Sequence, residues 1–360
     1  MTPADALYMA QALRLARQGV ATTHPNPRVG CVLVREGRVV GQGFHERAGG
    51  PHAERLALAA AAHEARGATA YVTLEPCCHV GRTSACTEAL LSAGVTRVVA
   101  AMEDPDPRVR GGGFAALRAH GVQVEVGLMR AEAQELNRGF VSRLTRKRPF
   151  TVAKVGVSLD GRTALPNGES QWITSPAARA DVQTLREQSS AILTAMGTIR
   201  HDDPRLTVRR AVPRPPLRVI VDSGLTLAVE ARVLTEPGSA LVFTVSEGPR
   251  ADVLRAAGAQ VIAVGGGRHA VDLHAAWTTL AGLGINDLLI EAGPTFLGAA
   301  LEAGLIDEWV VYMAPSLVGQ GRGLAEFTIP ALSAQFRWHY REVRRVGTDL
   351  RLTLTPEAKE

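Results

Sequence analysis

The sequence predicts a two-domain α/β protein, on three observations. Its 360 residues exceed the usual span of one compact domain. Each half alternates strand-like and helix-like segments, the pattern of sheets layered with helices. An Arg-rich stretch from Arg143 to Pro149 reads as a linker and divides the chain into domains at 1–147 and 148–360.

In the first domain, residues 4–18 place Ala6, Leu7, Ala10, Leu13 and Ala16 near one face at helical spacing. His24-Pro25-Asn26-Pro27 cannot be helical. It leads into the apolar run 30–34, a gap at Glu36-Gly37 and then Val39-Val40, which together read as a hairpin. The Ala-rich run 52–65 is a helix entered through Pro51, followed by a strand over 70–74. A loop over 75–82 opens a helix from Thr83 to Ala93, and a buried strand follows at 97–102. A helix at 113–120, a strand at 122–126 and a helix at 131–144 complete the unit.

The second domain shows strands near 150–157, 190–195, 217–222, 240–245, 260–264, 286–291 and 308–313, with helices fitting between several of them. Residues 337–355 read as two strands around Gly347. Gly265-Gly266-Gly267 reads as a flexible turn, and no GxGxxG follows a first strand. No internal repeat is present, and the two halves share no motif.

Composition narrows the class. The chain is 46% hydrophobic and 21% charged with mean hydropathy near zero, as expected of a soluble globular protein. The N-terminus has no signal-peptide pattern and no stretch approaches a membrane span, so a cytoplasmic enzyme without membrane contact is expected. The formal charge of +5 is carried by scattered arginines with no polybasic run, which suits phosphorylated small molecules and not nucleic acid. Only Lys147, Lys154 and Lys359 are lysines among 40 basic residues, so a lysine inside a motif is informative.

Four cysteines without a secretory signal point to metal binding or burial. His52-Ala53-Glu54 stands at a helix start, and Pro76-Cys77 begins the loop that reaches Cys86. Alone, the first is usually a solvated cap and the second usually packing. Together, in this order and βα setting, they supply one imidazole, two thiolates and a carboxylate free of the metal, which is the set a zinc deaminase needs. Thiolates and imidazole suit Zn²⁺, which lowers the pKa of a bound water from about 15.7 to about 7. Glu54, offset from His52 on the helix, can take a proton from that water and deliver it to a ring nitrogen and then to the departing amine. Cys31 reads as core. Cys78 is adjacent to Cys77, and neighbouring side chains diverge, so one zinc held by His52, Cys77 and Cys86 is expected, with Gly81 allowing the loop to turn.

The spacing departs from the common deaminase pattern, in which the second cysteine follows the first by three positions. Here that position is Val80. The longer loop 75–86, with Thr22 to Cys31 and Gly49 to Glu54, resembles the bifunctional riboflavin-biosynthesis deaminase/reductase family. Lys154 to Thr163, Gly168 to Ser175, Gly197 to Pro204 with Leu206 to Arg209, and Glu291 to Thr295 resemble that family's reductase domain. The family loop usually has prolines where Ser84-Ala85 stand and a serine in place of Cys78.

The resemblance implies a cytidine-deaminase-like α/β/α layered domain followed by a dihydrofolate-reductase-like α/β domain. It implies deamination of 2,5-diamino-6-ribosylamino-4(3H)-pyrimidinone 5′-phosphate, then NADPH reduction of the ribosyl side chain to give 5-amino-6-(5-phosphoribitylamino)uracil. His52, Cys77 and Cys86 carry over as Zn²⁺ ligands, Glu54 as proton shuttle and Asn26 as a substrate contact. Substrate in the second domain falls to Ser170, Arg186, Leu206, Arg209 and Glu291. NADPH falls to Gly156, Trp172, Thr198, Asp202, Ser223, Gly293, Pro294 and Thr295. Gly293-Pro294 follows a strand and opens a helix, where free N–H groups can hold a phosphate, and Arg186 and Arg209 are suited to grip the substrate phosphate. Lys154 has two open readings, a specific role in its motif or pairing with a carboxylate. A homo-oligomer is expected.

Two rivals stand beside this reading. A nucleic-acid base deaminase shares the zinc chemistry but leaves residues 150–355 without a role. A non-catalytic regulator keeping the fold is expected to lose a ligand or the shuttle, and all four residues are present.

Overall fold

The computed structural model describes residues 1–78, 85–265 and 270–357. Expectations that fall on Val80, Gly81, Thr83, Ser84, Gly266, Gly267 and Lys359 lie outside these. The described chain divides into two compact units, Met1–Arg146 and Lys147–Glu360.

The first unit runs α1 (Pro3–Arg17), β1 (Gly30–Arg35), β2 (Arg38–Phe44), α2 (Ala53–Ala61), β3 (Thr69–Val72), α3 (Cys86–Ser92), β4 (Arg97–Ala100), α4 (Gly112–Ala119), β5 (Gln123–Val126), α5 (Arg130–Leu136) and α6 (Arg138–Thr145). Its five strands lie in the order β2-β1-β3-β4-β5. The hairpin makes β1 antiparallel to β2 and to β3, while β3, β4 and β5 are parallel and joined through helices. The interior strands are apolar and buried except at Arg35, Thr69 and Arg97 on their ends, and Cys31 belongs to this core.

Helix α1 begins with a capping box between Thr2 and Asp5 and has Pro3 in its first turn. It buries Asp5, Met9, Ala12, Leu13 and Ala16, whereas Leu7, expected on the apolar face, is 72% exposed. Asp5 takes the inward position because Arg97 donates to both its oxygens at 2.9 and 3.0 Å and Tyr71 donates at 2.6 Å. The single helix expected over 131–144 is two, broken at Asn137. That side chain accepts the Arg28 N–H at 2.8 Å and donates to the Arg28 carbonyl at 3.0 Å, joining the break to the loop before β1.

Strand β2 lies against α2 with almost no space between them. A Cβ on Gly41 would stand 2.2 Å from the Ala57 carbonyl oxygen and 2.8 Å from the Ala61 Cβ, so only glycine fits there.

The second unit runs β6 (Phe150–Val157), α7 (Pro176–Gln188), β7 (Ala191–Ala195), α8 (Met196–Asp202), β8 (Leu217–Val221), α9 (Arg232–Thr235), β9 (Ala240–Thr244), α10 (Pro249–Ala256), β10 (Ala259–Ala263), α11 (Leu273–Gly282), β11 (Asp287–Ile290), α12 (Pro294–Glu302), β12 (Glu308–Met313), β13 (Trp338–Val346) and β14 (Asp349–Pro356). The strands form one nine-stranded sheet in the order β10-β9-β8-β7-β11-β6-β12-β14-β13. The first seven are parallel, and the C-terminal hairpin adds two antiparallel strands at one edge.

Two apolar cores cover the faces of this sheet, one built with Trp277 and α12, the other with Ala178, Ile199 and Leu206. Alternation along β6 sends Ala153, Val155 and Val157 into the first core and leaves Lys154 and Gly156 on the opposite face, in register with Val310 and Tyr312. Among the described residues no helix is long and apolar enough to cross a membrane.

Candidate metal centre and candidate reductase cavity

The turn after β2 and the start of α2 bring the first site together. His52 is the N-cap of α2, Glu54 lies in its first turn, Cys77 follows β3 and Cys86 opens α3. His52 Nδ1 stands 3.2 Å from Cys86 Sγ and 3.5 Å from Cys77 Sγ, and the three candidate ligand atoms lie within 4.8 Å of one another. Tetrahedral zinc with Zn–S about 2.3 Å and Zn–N about 2.0 Å separates neighbouring ligand atoms by about 3.5–3.8 Å, so this donor set fits the metal. Cys78 is not in the group. Its Sγ faces α4, where a Cβ on Gly112 would meet it at 3.0 Å.

The electrostatics match a metal site with a proton carrier beside it. The Cys86 thiol, with the His52 ring and the Cys86 N–H at 3.4 Å behind it, overrides burial and holds the Cys77 thiol down to about 4. The same pairing and burial push the Cys86 thiol up. Burial raises the Glu54 carboxyl, which is 3% exposed and hydrogen-bonded with Cys86. A carboxyl raised in this way is suited to hold a proton and hand it on.

Asn26 reaches this centre through a residue that the sequence did not single out. Its Nδ2 is 3.1 Å from His45 Nε2, the other His45 nitrogen is 2.9 Å from the Pro51 carbonyl, and the His45 ring meets the His52 ring edge-on at 5.5 Å. The Pro51 carbonyl accepts, so Nδ1 carries the hydrogen and Nε2 accepts from Asn26. Burial lowers the His45 pKa and keeps the ring neutral. The available signal was positional: His45 directly follows β2, the strand that packs on α2.

In the second unit a cavity of about 880 Å³ opens over the β6/β12 face beneath α7. Ser170, Arg186, Leu206, Arg209, Glu291, Gly156, Trp172, Thr198, Asp202 and Pro294 line it. Gly293 caps α12 and Thr295 lies in its first turn, flanking the lining Pro294. The Thr295 hydroxyl donates to Glu326 at 2.6 Å. Ser223 does not line the cavity, and its hydroxyl accepts the Val271 N–H at 3.3 Å.

One expectation is corrected here. The Arg186 fork does not face an open phosphate site, because Nε and Nη2 hold the Glu291 carboxylate and Nη1 donates to the Thr207 carbonyl at 2.8 Å. Lys154 Nζ joins the same carboxylate at 2.8 Å, so the pairing reading of this lysine describes its contact in a cavity wall. Burial would raise the Glu291 carboxyl, but Arg186 and Lys154 hold it well below the usual carboxylate range. Arg209 keeps its side chain at the cavity while its N–H donates to Gln183 at 2.9 Å. Arg179 lies 4.3 Å over the Trp172 ring, a further cationic wall that the sequence did not single out.

Residues 2–102 match the model of the cytidine and deoxycytidylate deaminase zinc-binding region, and residues 149–352 match the RibD C-terminal domain. The riboflavin biosynthesis protein RibD of Escherichia coli (strain K12) is 46% identical over 97% of this chain and 99% of that protein. The chain belongs to the RibD family. Acinetobacter baumannii RibD, form 1, superposes with a TM-score of 0.92 at 41% identity, covering 99% of both chains. The Thermotoga maritima diaminohydroxyphosphoribosylaminopyrimidine deaminase/5-amino-6-(5-phosphoribosylamino)uracil reductase gives a TM-score of 0.88 at 31% identity, covering 98% of this chain and 99% of that one. As a RibD family member, the chain is a bifunctional deaminase and reductase of riboflavin biosynthesis, with a cytidine-deaminase-like first domain and a RibD reductase domain. Zinc serves the first and NADPH the second.

Proposed function

We propose that residues 1–147 deaminate 2,5-diamino-6-ribosylamino-4(3H)-pyrimidinone 5′-phosphate and that residues 148–360 reduce the ribosyl side chain of the product, giving 5-amino-6-(5-phosphoribitylamino)uracil. The observation that carries the proposal is the approach of His52, Cys77 and Cys86 beside a buried carboxyl at Glu54, in one chain with a cation-walled cavity. The Thermotoga maritima relative's name supports the choice of substrate.

Zinc, when held by His52, Cys77 and Cys86, supplies an acidified water as nucleophile at neutral pH. Glu54 takes a proton from that water, passes it to the ring nitrogen and then protonates the departing amine, so water and substrate leave as ammonia and a ring carbonyl. Asn26 and the neutral His45 orient the heterocycle at the mouth of this centre.

In the second unit NADPH, when bound, supplies hydride. Gly156, Trp172, Thr198, Asp202 and the Gly293-Pro294-Thr295 turn form its binding surface, and Ser223, outside the cavity, would meet a part of the cofactor that extends beyond it, with the N-terminal N–H groups of α12 available to a phosphate. Ser170, Leu206, Arg209 and Glu291 face the substrate. Arg209 takes its phosphate, and Arg186 and Lys154 fix the Glu291 carboxylate toward a ribose hydroxyl. A homo-oligomer in the cytoplasm belongs to the same reading. It is supported by Tyr340 and Val343, 65% and 56% exposed on the edge strand β13, which a second copy would cover.

Incubating the protein with the diaminopyrimidinone phosphate, with and without NADPH, tests the proposal when ammonia and NADPH are followed separately. Ammonia release independent of NADPH, and NADPH oxidation only after deamination, are expected. NADPH oxidation without ammonia release would reverse the assigned order. Light scattering behind a sizing column measures the oligomer.

A further inference from the structure

The Glu75 carboxylate is buried, 3% exposed, where β3 runs into Pro76-Cys77. Among the described residues no arginine or lysine pairs with it. Instead it accepts four backbone N–H groups. Oε2 takes those of Asp104 at 3.1 Å and Gly111 at 3.0 Å, and Oε1 takes those of Gly113 at 2.9 Å and Phe114 at 3.2 Å. Gly111, Gly113 and Phe114 belong to the N-terminal turn of α4, whose N–H groups have no acceptor within their own helix. Contact behind this clamp is close. A Cβ on Gly113 would stand 2.1 Å from the Pro76 carbonyl oxygen. On the opposite side, Thr87 donates its N–H at 3.2 Å and its hydroxyl at 3.3 Å to the Cys77 carbonyl. The segment holding Cys77 is therefore gripped between the starts of α3 and α4.

We infer that Glu75 is a positioning residue of the deaminase: it fixes the Pro76-Cys77 backbone against α4 so that the Cys77 thiolate meets His52 and Cys86 at ligand spacing. The inference rests on the zinc reading above. Only a carboxylate satisfies this arrangement, because both oxygens accept two donors each. Glutamine keeps the volume but turns an NH₂ toward two N–H donors, opening one side of the clamp. Partners that orient metal ligands from behind typically change metal affinity or activity about 10–100-fold when removed.

The full chain, loaded with Zn²⁺ and separately with Co²⁺, provides the test. Glu75→Gln is expected to lose zinc to a chelator at least about tenfold faster, to shift the cobalt ligand-field absorption and to slow ammonia release about 10–100-fold. NADPH oxidation with pre-formed deaminated substrate stays unchanged. Gly113→Ala keeps the charge but presses from α4 on the Pro76 carbonyl at 2.1 Å and on the Glu75 side chain at 3.2 Å, and it is expected to shift the same absorption. Asp5→Asn, a buried acid held by Arg97 and Tyr71, serves as the control: it lowers the melting temperature and leaves the cobalt spectrum alone. Wild-type protein that loads no metal at His52, Cys77 and Cys86 would sink the zinc reading itself. Wild-type protein that loads zinc, with both Glu75→Gln and Gly113→Ala keeping its release rate and cobalt spectrum, overturns the positioning role whatever their melting temperatures. Should Glu75→Gln fail to fold, Gly113→Ala decides by the same two readouts.

Discussion

Arg186 meets Glu291 as a two-pronged pair, Nε to Oε1 at 2.6 Å and Nη2 to Oε2 at 3.1 Å, with Lys154 closing on Oε2 at 2.8 Å. Removing the carboxylate leaves two cations facing each other in a cavity wall. Glu291→Gln is expected to destabilise the second unit by about 3–5 kcal/mol and to abolish NADPH oxidation.

The same triad sets an acid dependence. The folded Glu291 carboxyl titrates below its unfolded value, so its contribution is complete above about pH 4.3 and is lost as falling pH protonates it in the fold. Thermal melts from pH 7 to pH 3 should show a gap between wild type and Glu291→Gln that is constant to about pH 5 and narrows below about pH 4. A gap that widens in acid would contradict the depressed carboxyl.

Glu54→Gln removes the proton carrier and leaves all three candidate ligands. Zinc content and NADPH oxidation with deaminated substrate should match wild type while ammonia release falls at least about 100-fold. Equal loss of both activities in a folded variant would contradict the division of labour between the units.

The thiols can be told apart by metal analysis. Cys78 faces α4, so Cys78→Ser should keep one zinc per chain and most ammonia release. Cys77→Ser and Cys86→Ser should lose both, because a neutral hydroxyl is a poor substitute for thiolate. Full zinc in Cys86→Ser and none in Cys78→Ser would exchange their roles.

Arg209 faces the cavity with no acidic partner among the described residues. Arg209→Ala should raise the substrate KM at least about tenfold and leave the KM for NADPH within about twofold. The reverse pattern would move Arg209 to the cofactor.

What the sequence revealed depended on distance along the chain. His52 and Glu54 are legible because one helix start fixes both, and the strand β7 is legible because a parallel strand buried on both faces is apolar nearly throughout, Thr194 apart. Cys86 follows from the shortage of thiols. The Arg186–Glu291 pair spans 105 positions, and nothing local to either residue announces it, so Arg186 reads as a free phosphate ligand until the fold is known. His45 is hidden for a similar reason, since its role comes from Asn26 across 19 positions. Leu7 misleads because hydrophobic periodicity cannot foresee that Asp5, satisfied by Arg97 and Tyr71, occupies the inward face instead. The break at Asn137 likewise depends on a partner more than a hundred residues earlier.

Gly41 touches no ligand, yet the backbone of α2 stands where its side chain would be, and α2 carries Glu54 and begins at His52. In a saturation-mutagenesis map scored by ammonia release, position 41 would therefore tolerate as little variation as the metal-binding histidine. Such a map would count a residue of pure steric fit among the active-site positions, and a parallel score for soluble protein would separate the two kinds of intolerance.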